Sequence, residues 1–215
     1  MPKKRLDSRL ITSSPGTHNT VFDRREARGR DLWLYARSFH TAAKKLAGSL
    51  PLDTNPFADF DVSPVVFLYR HAVELHLKAM VLGEGGNFLA TKPDALSIQK
   101  THSVSWLAQF VSQIVTAVKW EKEFCCEGVE TLVDFKAVIE ELNEVDPGSY
   151  VFRLPVSAEG HGRLKLTISD FARRLDALLE LLGSTADALA AEWDMRSEAG
   201  AIEAKWSSGF KPSIQ

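Results

Sequence analysis

The chain has 215 residues, is 45% hydrophobic and 25% charged, and carries a formal net charge of −2. That length and balance suit one generous globular domain and exclude disorder as the dominant state. No apolar run approaches the ~20 residues that span a bilayer, and the basic start MPKKRLDSRL lacks the apolar stretch of a secretory signal. The only cysteines, Cys125 and Cys126, are adjacent and fit neither a disulfide framework nor a zinc site. The expectation is a reducing, cytoplasmic setting, with no membrane contact, no metal and no other cofactor.

Residues 1 to 22 show no periodicity and contain the turn cluster Ser13-Ser14-Pro15-Gly16. Charge is uneven here: residues 1 to 30 hold eight cations against three acids, which leaves the rest of the chain acidic. Arg24, Arg25, Arg28 and Arg30 are therefore candidate contacts for RNA or phosphate. The bland alternative is a solvated, frayed arm. From about Ala27 to Leu50, Leu32, Ala36, Phe39, Ala43, Leu46 and Leu50 recur every three or four residues, which predicts a helix. Leu52 to Ser63 is predicted as a loop.

Ser63-Pro64 supplies a capping serine and a first-turn proline for a central helix over 65–82, VVFLYRHAVELHLKAMVL. Its apolar residues cover most of the circumference, as expected of a helix surrounded by others. Arg70, His71, Glu74 and Lys78 fall in one narrow polar stripe, and His76 lies outside it on the apolar arc. Gly83, Gly85 and Gly86 end the helix. The connection through Pro93 is long enough to hold a short turn of its own. A third helix is predicted over 102–120 and a fourth over about 123–145, acidic on its outer side.

Asp146-Pro147-Gly148-Ser149 is a turn signal, followed by extended Tyr150 to Pro155 and Leu164 to Ile168, which together predict a small hairpin. Helix resumes at Ser169 or Asp170 and keeps an inner face to about Trp193. The sum is an all-α, four- to five-helix bundle, up-down-like, with an extended hairpin before the last long helix. It divides into a flexible basic arm (1–25), a bundle domain (26–195) and a polar tail (196–215).

Three segments in series resemble the HEPN and HEPN-like bacterial helical proteins. YRHAVELHLKA resembles their R-x-A-[IV]-E-L-x-L-K helix signature, THSVSWLAQF their following G-H-D-L-x-x-L segment, and DPGSYVFRLP a D-x-x-S-x-x-F-R-Y-P turn, with Leu154 in place of the tyrosine. Together they cover roughly residues 30 to 185. The resemblance implies a bundle, often a homodimer, in toxin–antitoxin or phage-defence settings, with an antitoxin or other protein as partner. It leads to two readings: a non-catalytic module binding a partner or ligand, or a metal-independent endoribonuclease.

In the nuclease branch an Arg, then Asn, Asp or His, then a few residues, then His forms the site across a dimer. Arg70, His71, Glu74 and His76 are the matching candidates here. Such chemistry suits the residue types, since imidazole serves as base or acid near neutral pH and guanidinium holds a phosphate. Arg70 and His76, however, stand about 240° apart around a helix. Arg70, Glu74 and Lys78 at spacings of four equally form a structural ion-pair stripe.

Overall fold

The computed structural model describes residues 29–50, 58–146, 148–149 and 166–209. It is an all-α bundle of six helices among those residues: α1 (Gly29–Ser49), α2 (Ala58–Leu82), α3 (Ala95–Lys100), α4 (Val104–Val118), α5 (Leu132–Val145) and α6 (Ile168–Gly209), with a 3-10 turn at Glu84–Phe88. Helix α2 is the axis. It packs against α1, α4, α6 and the short α3, while α5 reaches it across α4. Val65, Tyr69, Ala72, Val73 and Leu77 have no solvent exposure, and Leu75 keeps 8%. The all-round apolar pattern thus has its packing counterpart.

Helix α2 begins at Ala58, not at the Ser63-Pro64 signal, and Pro64 lies inside it. Proline removes one backbone hydrogen bond and already holds a helical φ. Pro64 is the seventh residue of α2, so its missing N–H forgoes an interior bond to the carbonyl four residues back, while its ring is exposed. Local capping chemistry therefore misplaces this boundary. At the other end, Gly83 N–H donates to Ala79 O at 2.8 Å, and a Cβ on Gly86 would lie 2.2 Å from Val81 O. Only glycine turns the chain that closely over the helix end.

The long connection to α4 holds the 3-10 turn and α3. Asp94 caps α3 by accepting from Ser97 N, and Ser103 caps α4 by accepting from Trp106 N. The fourth predicted helix begins at Leu132 rather than near Glu123. Thr131 and Asp134 form a reciprocal capping box, and Gly128 takes a φ of 79° just before it. Residues 121–130 instead form turns pinned by buried Phe124 and Val129. No strand occurs among the described residues, only an isolated bridge between Cys126 and Val129. Residues 150–165 of the predicted hairpin and the basic arm (1–25) lie outside the described residues, while Ile168, expected as the last extended residue of that hairpin, is instead the first residue of α6.

Helix α6 continues past Trp193 to Gly209, through much of the stretch with polar-tail composition. Residues 194–203 are all exposed, so packing does not hold them in helix. Met195, Arg196, Glu198, Ala199, Ala201 and Glu203 among them have high intrinsic propensity, and Arg196 Nε donates to Glu192 Oε1 at 2.7 Å one turn back.

The first turn of α1 crosses the end of α2 at a glycine pair. A Cβ on Gly29 would meet Gly83 Cα at 2.6 Å, a backbone atom that cannot step aside. Gly29→Ala is expected to destabilise the bundle by about 1–3 kcal/mol through this overpacking, despite alanine's better helix propensity. Urea denaturation of the two proteins measures it.

Candidate functional site

Arg70, Glu74 and Lys78 repeat every four residues and so share one face of α2. All three are buried, at 0%, 1% and 4% exposure. Arg70 Nη1 donates to Glu74 Oε2 at 2.5 Å, and Lys78 Nζ to Glu74 Oε1 at 2.8 Å. The remaining donors go to backbone carbonyls. Arg70 Nη2 donates to His102 O at 2.5 Å, Arg70 Nε to Asp146 O at 3.2 Å, and Lys78 Nζ to Gln99 O at 2.9 Å.

Gln99 sits in the last turn of α3, and Asp146 caps the end of α5. Those are places where helix carbonyls lack intrahelical partners and the dipole favours a cation. The cations of α2 supply what those ends lack. Burial raises the Glu74 carboxyl, but hydrogen bonding and charge from Lys78 and Arg70 outweigh it and hold it below its ordinary value. His102, half exposed, brings Nδ1 to 3.1 Å from Glu74 Oε1.

His71 leaves this face. Its ring packs edge-on to Phe39 of α1 at 4.5 Å and stacks on Phe67 at 5.6 Å, and burial lowers its pKa. His76 also stands apart from the Arg70 face. It is 1% exposed and lines a cleft of about 520 Å³ between α1 and α6. A single chain therefore does not bring the four motif residues together: Arg70 and Glu74 bind each other, while His71 and His76 have other surroundings. Of the basic candidates, Arg30 is exposed in the first turn of α1; Arg24, Arg25 and Arg28 lie outside the described residues.

The cleft contains groups that no sequence motif marks. His40 Nε2 lies 2.7 Å from Asp176 Oδ1, and Tyr69 Oη donates to the same oxygen at 2.9 Å. An ionised carboxylate only accepts, so His40 Nε2–H is the donor in this contact. Burial, then the Asp176 hydrogen bond, raises the Tyr69 phenol and keeps it protonated. Lys44 Nζ reaches Asp176 and Glu180 at 3.7 Å each, and Arg37 lies over the Trp33 ring at 4.7 Å. His76 Nδ1 and Trp33 Nε1 are buried without a hydrogen-bond partner. Only the spacing of His40 and Lys44, one helical turn apart, hints at this cluster in the sequence.

No group of three or more potential metal ligands occurs among the described residues. No helix there is long and apolar enough to cross a membrane. No family model, curated protein or solved structure matches the chain.

Two outcomes follow from these surroundings. Arg70→Met leaves Glu74 buried with one fewer counter-charge and two carbonyls unpaired, so a loss of about 3–5 kcal/mol is expected in urea denaturation. His76 is held down to about 4, first by burial and then by the positive charges of His40 and Arg37. The unfolded chain restores its ordinary value near 6.5. The His76 contribution to stability is then full above about pH 6.5 and is lost as pH falls toward 4. Its size is on the order of 3 kcal/mol, read as the difference in pH dependence between the wild type and His76→Gln.

Proposed function

We propose that the chain is a non-catalytic, HEPN-like helical module that binds a small ligand or a protein partner, as a homodimer in a toxin–antitoxin or phage-defence setting. The observation that carries the non-catalytic part is the engagement of Arg70. A phosphate-clamping arginine needs free donors, and this guanidinium directs Nε, Nη1 and Nη2 to Asp146, Glu74 and His102 with no exposed surface. Opening it to a substrate takes from the buried Glu74 one of its two buried cationic partners. The binding part is supported by the α1–α6 cleft, whose volume falls within the range of small-molecule sites. The dimer and the biological setting rest on the motif resemblance alone.

A second reading, the metal-independent endoribonuclease, draws support from His76. His76, with its unpartnered nitrogen, and His40, held by Asp176, line the same cleft, which supplies two imidazoles for proton transfer. Incubation of the purified full chain with single-stranded RNA in EDTA separates the two. The expected result is no cleavage above that of a buffer control. Cleavage by the wild type that disappears in a folded His76→Ala variant overturns the non-catalytic reading.

A further inference from the structure

We infer that the cleft between α1 and α6 is a binding site for a small phosphate-bearing molecule, with Arg37 and Lys44 holding the anion and His76 and Trp33 donating to its oxygens. The inference rests on the ligand-binding reading above and names the class of ligand.

The lining carries two buried nitrogens without partners, His76 Nδ1 and Trp33 Nε1. The indole N–H only donates, so whatever satisfies it must offer an acceptor. A buried polar group left unmade costs about 1–3 kcal/mol; the indole N–H is met only by an acceptor, and His76 meets one as well in its Nδ1–H tautomer, so the pair favours an acceptor-rich guest. The charge around them selects the sign of that guest. Helix α1 contributes Arg37, Lys44 and Lys45 to the lining, with His40 between them. Helix α6 contributes Glu180 and Asp187, while Asp176 is already taken up by His40 and Tyr69. Lys44 is 58% exposed and meets Asp176 and Glu180 only at 3.7 Å each, beyond hydrogen-bond distance, so it is able to turn to a ligand.

Shape agrees with this chemistry. Gly183 of α6 stands over His76, where an added Cβ would lie 3.6 Å from the ring Cε1. The missing side chain is what leaves the imidazole facing the cleft. The volume of about 520 Å³ holds a phosphate with an organic group attached, and Trp33, with Arg37 over its ring, is part of the lining.

The test is calorimetric titration of the full chain with inorganic phosphate, with adenosine monophosphate and with a short single-stranded RNA, alongside the 15N shift of His76 Nδ1. Adenosine monophosphate is expected to bind with a dissociation constant of about 1 mM or tighter and to move the His76 Nδ1 resonance. Phosphate alone is expected to bind more weakly at the same position. Arg37→Gln and Lys44→Gln, both at exposed positions, are expected to weaken binding about tenfold or more. Gly183→Leu is expected to abolish binding while the helix stays folded.

No heat and no His76 shift with either small molecule at about 10 mM overturns the inference. So does binding that is undiminished in both charge variants, because the anion then sits elsewhere. Binding of the RNA alone overturns the small-molecule class. RNA cleavage sinks the non-catalytic reading without touching phosphate binding here, and failure to bind phosphate leaves that reading standing, so the two failures are distinguishable.

Discussion

Two cations and two carboxylates, Arg70, Lys78, Glu74 and Asp146, buried inside a helical bundle impose the strongest constraint in this molecule. Taking a guanidinium or ammonium out of water costs several kcal/mol even after the surroundings relax. Arg70 and Lys78 offset that cost on a shared Glu74, and their leftover donors still need acceptors. Those acceptors are the carbonyls of Gln99, His102 and Asp146. Each belongs to a segment that leaves or enters a helix, so the stripe fixes where α3 ends, where the approach to α4 runs and where α5 stops. Charge burial works here less as surplus stability than as a positional device, because a displaced connection leaves an unpaired charge in the core.

Helix α2 thereby separates two environments. On one side the polar groups are closed on one another, and no donor is offered to a ligand. On the other, His76, Trp33 and His40 line an open cleft, and the His76 Nδ1 and Trp33 Nε1 nitrogens are unmet. The six-residue interval between Arg70 and His76 produces this division, since it turns the helix through most of a circle. The two residues that carry the nuclease-like spelling consequently have opposite fates within one chain, one saturated and one unsaturated.

Much of the architecture was legible because it depends on short-range periodicity. The apolar circumference of α2, its glycine stop and the inner faces of α4 and α6 are patterns within a few turns. Boundaries set by competing local rules were less so. Pro64 reads as a helix start yet sits inside α2, and the Thr131–Asp134 box overrides the apolar spacing upstream of it. The ion-pair stripe was visible at spacings of four, whereas its carbonyl partners depend on chain reversals that no spacing encodes. The His40–Asp176 contact joins residues 136 positions apart and brings α1 to α6. Only the folded arrangement reveals it, because neither residue is unusual in its own helix.

The closed state of the Arg70 guanidinium is the claim on which the rest depends, and 15N-edited NMR of arginine side chains observes it directly. Held by three separate acceptors in a buried site, Arg70 should give a slowly exchanging Nε–H and resolved Nη protons, with rotation about Cζ–Nη slowed. A single averaged, rapidly exchanging signal like that of a solvated arginine would contradict the account.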